Sequence, residues 1–230
     1  MPSSEINARI HATAPAGGTV EIIPGLHVFR VPKHRFRAGQ SYGILHDGGT
    51  VLIDAVHEVT KPAVDGLLAR HPPKALLITH SDLLAQAFGS PEELSAWLGN
   101  VPVLIHSADS GNLTGLMPLE TSTALIADLG FFTYHIPGHT PGSTAYFYHG
   151  KGWLFTGDAI VGNNYEKDEQ EWTHPPLLED DFLTTVLGWE KVPLNLVGGV
   201  FPLHGQVGVG VEAGQAARDA ALLRERVMTR

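Results

Sequence analysis

Five side chains able to bind a divalent cation or move a proton follow apolar, β-rich runs: His80 and Asp82 after "ALLIT", His139 after "YHIPG", Asp158 after "WLFTG", and His204 after "GVFPL". Strand ends are rigid places from which side chains can converge on a point. Imidazole and carboxylate bind Zn, Mn or Fe without thiolate, and three or four of them complete a coordination shell. The chain has no cysteine, which excludes disulfides, thiolate ligands and a cysteine nucleophile, so any metal must sit on His, Asp or Glu. Each residue also has a plainer reading. His80 could cap a loop, and Asp82 could be the N-cap of a helix carrying Leu83 to Phe88. His139 could be structural within its Pro/Gly turn, and Asp158 a turn carboxylate bonded to nearby amides. Asp54 reads as an architectural hydrogen-bonding residue near the site, and His57, His106 and His174 as ordinary histidines that could at most border a pocket. His135 and His139 are four apart, but Pro137-Gly138 excludes the helical face on which such a pair would bind zinc.

The elements that must position these residues can be read from the same sequence. "TVEII" and "LHVFRV" are strands separated by the turn Pro24-Gly25. Residues 41–46 and 50–56 form two β-rich runs across Asp47-Gly48-Gly49, a hairpin signal, with the second strand ending near Asp54. Residues 59–70 place Val64, Leu67 and Leu68 on one helical face with Pro62 in the first turn. "KALLIT" is a buried strand, "SPEELSAWLG" a helix with Ser90 as cap and Glu93 three residues on, and "VPVLIH" another strand. Strands follow around 131–136, 144–149 and 153–156, then a helix over 178–192, the strand "GGVFPLH" and a helix over 214–228. The polar run 163–176, with Tyr165 and Trp172, is a solvated loop or a substrate lid. The first 17 or so residues are expected as a loose tail. This order is neither strict βα alternation nor all-β, and favours two mixed sheets covered by helices.

Composition narrows the function. With 230 residues and 43% of them apolar, one domain spanning 1–230 with a large buried core is expected. Fifteen Lys and Arg against 24 Asp and Glu, a net charge of −9, argue against a nucleic-acid partner and for a small-molecule substrate. No stretch of 18 apolar residues occurs, so no membrane span is expected, and the N-terminal segment lacks a signal-peptide core; a cytoplasmic protein is the expectation. No G-x-S-x-G elbow offers a metal-free hydrolase. Oligomeric state and substrate are not encoded in any readable pattern.

"THSD", "PGHTPGS", "TGD" and "PLHG", in this order and with "VLIDAV" upstream, resemble the metallo-beta-lactamase fold superfamily of metal-dependent hydrolases over roughly residues 19–205. The resemblance implies an α+β fold, an αββα sandwich with the active site at one edge of its two sheets. The family stretch usually reads His-x-His-x-Asp-His after Thr. Here His80 matches the first His, Asp82 stands at the second, Leu84 at the Asp and Ala85 at the last His. By this resemblance His80, Asp82 and His139 would hold one metal, Asp158 would bridge, and the second pocket would retain only His204.

A mononuclear site for one divalent ion is therefore expected, zinc first and manganese or iron as alternatives, on His80, Asp82, His139 and Asp158. Aspartate for histidine adds charge and a harder ligand and makes bound water less acidic. Loss of the carboxylate at Leu84 removes the group that orients the attacking water, a role whose loss costs about 10²- to 10⁴-fold; Asp158 or Asp82 would substitute as base. The expected function is a hydrolase acting on an ester, thioester, lactone or similar bond. The alternative is a catalytically inactive member of the fold that binds a small molecule, metal or protein partner and has no need to retain stoichiometric metal.

Overall fold

The computed structural model describes residues 1–13, 17–34, 37–162 and 182–210. The expected lid segment 163–176 and C-terminal helix 214–228 lie outside them, as does His174. Seven strands form the first sheet in sequential order: β1 (Thr19–Ile23), β2 (Leu26–His34), β3 (Arg37–His46), β4 (Gly49–Ile53), β5 (Pro73–Leu77), β6 (Val103–Ile105) and β7 (Leu116–Pro118). Its first four strands are antiparallel and its last three join in parallel. The second sheet runs β12 (Gly208–Val209), β11 (Gly199–Pro202), β10 (Trp153–Gly157), β9 (Thr144–Tyr148), β8 (Phe131–His135), with only β10 and β11 parallel.

Alternation along single strands builds the layers. In β4, Val51 and Ile53 face the second sheet while Leu52 joins the cluster of Val64 and Leu67 from α2 (Lys61–Leu68) and Leu94 from α4 (Pro91–Trp97). In β9, Tyr146 packs between the sheets; Ala145 and Phe147 pack with Trp189 of α7 (Phe182–Glu190). Because the strand period is two and both faces are covered, such strands read as continuous apolar runs. The outcome is the expected sandwich of two mixed sheets with helices outside.

Local signals are met where the chemistry is strong. His46 pairs with Gly49, leaving Asp47 and Gly48 as a two-residue loop with φ of 46° and 74°, the pair of left-handed residues a tight hairpin requires. Ser90 accepts a bond from the Glu93 amide and Glu93 accepts one from the Ser90 amide, closing the capping box.

The N-terminus differs from the expected loose tail. Residues Ser3–Thr13 form helix α1, which buries Ile6 and Ile10 in the inter-sheet core. Asn7 exchanges two 2.9 Å bonds with the Val207 backbone, and Ser3 Oγ accepts from the Val209 amide at 2.7 Å. The helix thus covers the end of the second sheet. Strand β7 also goes beyond the elements expected from the sequence, whereas helix α6 (Thr123–Asp128) stands between the strand "VPVLIH" and the strands from 131 on, where the element order expects a helix. Among the described residues no helix is long and apolar enough to cross a membrane.

Ile10→Ala should destabilise the protein by about 2–5 kcal/mol in urea unfolding, the range for a large-to-small change in a packed core. A cost near zero would mean that the first residues do not pack.

Candidate metal centre

The chain leaves both sheets at one edge, and the five candidate residues meet there. His80 follows β5 by three residues, and Asp82 opens the short helix α3 (Asp82–Ala85). His139, Asp158 and His204 follow β8, β10 and β11 of the second sheet. Ligand atoms of His80, Asp82 and His139 all lie within 4.8 Å of one another. Asp158 Oδ2 stands 4.0 Å from His80 Nε2, 3.6 Å from His139 Nε2 and 3.5 Å from His204 Nε2, and Asp82 Oδ2 is 3.5 Å from His139 Nε2. They line a cleft of about 190 Å³ with His57, Leu83, Gln86 and Leu203 among its other walls.

Asp82 is not the N-cap of its helix. Ser81 holds that position, and the Asp82 carboxylate lies 3.5 Å from His139 Nε2. Leu84 packs against the outer apolar cluster of the first sheet and Ala85 is exposed. His106 stacks on His135 at 3.9 Å and lies near Glu120, away from the cleft lining; His57 borders it.

Two tight contacts fix the seam between the sheets. The Thr144 amide donates to the Thr79 carbonyl at 2.9 Å, and the Tyr146 hydroxyl to the Ile78 carbonyl at 2.8 Å. Gly157 has φ of 52°, and a Cβ there would overlap the Thr79 side chain, so the residue before Asp158 has to be glycine. On the far side His204 is held by a bridge to Gly39 and by the Gln40 amide, which donates to the Leu203 carbonyl at 2.8 Å.

Thr79, which sequence reasoning passed over, sets the state of His80. Its hydroxyl donates to Asp54 Oδ2 at 2.9 Å and lies 2.9 Å from His80 Nδ1, while its amide donates to Asp54 Oδ1 at 2.8 Å. While Asp54 is ionised it takes the hydroxyl proton, and the ring proton then falls on Nδ1, leaving a lone pair on Nε2 toward the cleft. Burial also pushes the His80 imidazole below its ordinary range, favouring the neutral ring a cation needs. The signal in the sequence was the Thr immediately before His80.

The donor set fits a divalent cation. Atoms that share a tetrahedral ion at about 2.0–2.2 Å lie roughly 3.3–3.6 Å apart; the His139–Asp82 and His139–Asp158 spacings of 3.5 and 3.6 Å match this, while His80–Asp158 at 4.0 Å is longer. Asp158 Oδ1 is buried with no hydrogen-bond partner among the described residues, and such an atom is costly without a compensating charge. His80, Asp82, His139 and Asp158 could therefore hold one ion. Around His204, Asp158 is the one further ligand among the described candidates.

Comparison with known proteins follows this geometry. The sequence profile described as the metallo-beta-lactamase superfamily matches residues 86–210, just over half of the chain and starting immediately past Ala85. The chain belongs to the metallo-beta-lactamase superfamily. It is similar in structure to a metallo-beta-lactamase from Erythrobacter litoralis (14% identity, 90% of this chain and 92% of that one, TM-score 0.62). It also resembles a metallo-beta-lactamase family protein from Thermus thermophilus (16%, 90% and 81%, 0.58). A third likeness is to the FIM-1 enzyme of Pseudomonas aeruginosa in its mono-zinc form (15%, 93% and 97%, 0.60). No curated protein sequence matches.

Asp54 supplies a pH test. Burial pushes its carboxyl up to about 7 against the two bonds from Thr79, with nearby Asp158 adding to the rise. The folded protein then holds this proton more tightly than the unfolded chain, where the group titrates near 3.8. Its contribution to stability is full below about pH 4, declines as pH rises toward 7 and is constant above. In chelator-treated protein, the stability of wild type relative to Asp54→Asn should fall across that window. A flat difference would mean an ordinary carboxyl.

Proposed function

We propose that the chain is a metal-dependent hydrolase with a mononuclear centre, acting on an ester, thioester, lactone or similar bond of a small molecule. The observation that carries the reading is the convergence of His80, Asp82 and His139 around a buried Asp158 carboxylate. One ion rather than two is supported by Leu84, which packs into an apolar cluster at the position of the family carboxylate, and by the exposed Ala85. Zinc suits the two imidazoles; the two carboxylates leave manganese or iron as alternatives.

A divalent cation held by these four residues supplies Lewis acidity toward a carbonyl oxygen and toward water. The chain does the rest. Thr79 and Asp54 hold His80 in the tautomer that presents Nε2. Asp82 is the most solvent-exposed of the five candidates, with its side chain 59% exposed, and takes the proton of an attacking water in place of the missing carboxylate. Asp158 serves as the alternative base through Oδ2, which stands among His80, His139 and His204. Leu83 and Leu203 give the cleft an apolar wall for the substrate.

A second reading, an inactive member of the fold that binds a small molecule or partner, is favoured by the packed Leu84 alone.

Elemental analysis of protein purified without chelator or affinity-column metal separates the two. The expected result is about one Zn, Mn or Fe per chain, lost in His139→Ala and in Asp158→Ala. Metal well below stoichiometry in the wild type, even after adding it back, would leave the binding role.

A further inference from the structure

Asp109 stands on the short helix α5 (Ser107–Ser110), directly after β6, and is not part of the cleft wall. It is buried to 7% exposure and accepts three hydrogen bonds. Oδ2 takes one from the Ser81 amide at 2.9 Å and one from the Thr140 hydroxyl at 2.5 Å; Oδ1 takes one from the Gly142 amide at 2.7 Å. Ser81 lies between His80 and Asp82, and Thr140 directly follows His139. One carboxylate therefore ties the loop leaving the first sheet to the loop leaving the second.

We infer that Asp109 is the positioning residue that sets the spacing between Asp82 and His139, and through it the affinity of the centre for its cation. The inference rests on the proposed metal-binding reading of the cleft. Those two residues follow strands of different sheets, and their side chains face each other at 3.5 Å. Bonds from amides and hydroxyls to a carboxylate are roughly twice as strong as neutral ones, so Asp109 is a stiff brace between the loops. Gly142 permits it: a Cβ there would lie 2.6 Å from Asp109 Cβ and Cγ. The Ser143 hydroxyl, 2.8 Å from Thr140 Oγ1, and the Thr140 amide, which donates to Ser143 Oγ at 2.9 Å, hold Thr140 in place.

The test measures Zn²⁺ affinity by competition with a chelating indicator, alongside thermal unfolding of the metal-stripped protein. Asp109→Asn cannot accept all three bonds and should weaken Zn²⁺ binding about 10- to 100-fold, the range for removing a partner that orients a ligand. Thr140→Val, a milder change that keeps the side-chain volume, should weaken it in the same direction, and Thr140→Ser, which keeps the hydroxyl, should restore it. Wild-type Zn²⁺ affinity in both Asp109→Asn and Thr140→Val, whatever their melting temperatures, would make Asp109 a purely structural stitch and overturn the inference. Failure of the wild type itself to bind Zn²⁺ would remove the metal reading and this inference with it.

Discussion

The fold removes one carboxylate from water and surrounds it with imidazoles, and much of the local structure follows from that. Asp158 Oδ1 is buried without a hydrogen-bond partner among the described residues, while Oδ2 faces His80, His139 and His204. Such a group is stable only next to positive charge, because leaving an ionised carboxylate unpaired inside a protein costs several kcal/mol or forces it to protonate. Among the described residues the chain offers histidines rather than lysine or arginine at these distances, and histidine can meet the demand either by protonation or by sharing a cation. Burial biases His80 toward the neutral form, and the Thr79 hydroxyl beside Nδ1 bears only on which ring nitrogen carries the proton. The neutral His80 ring leaves a nitrogen lone pair that could serve a cation beside Asp158.

Much of this was legible in the sequence because each candidate residue directly follows an apolar run whose end can be seen. The same holds for the Asp47-Gly48 hairpin and the Ser90 capping box, where one residue type is needed for one backbone state. Helix α1 was missed because its buried apolar face consists of Ile6 and Ile10 alone, too brief a pattern to separate from a polar tail, and its remaining anchors, Ser3 and Asn7, act only against the distant β12 end. Strand β7 is three residues ending in proline, and it pairs along one edge, with β6. Asp109 carries no local signal, since its meaning lies in bonds to loops far away in sequence, and Thr79 is marked only by its place before His80 while its Asp54 partner lies 25 residues upstream.

Leu84 is committed to packing rather than to the cleft. It joins the apolar cluster built by α2, α4 and the outer face of the first sheet, including Leu52 and Leu76. A carboxylate at that position would enter a layer of aliphatic side chains.

Gly157 carries a wider consequence. Here the first sheet touches the second through a residue with no side chain, where any added atom would collide with Thr79. The gap between the sheets at this point is an atomic contact rather than an adjustable layer of side chains, and Asp158 and His80 sit on opposite lips of it. The two halves of the centre cannot move closer here without collision, and the Thr144–Thr79 and Tyr146–Ile78 bonds oppose their separation, so a change in core volume is more easily absorbed elsewhere in the sandwich.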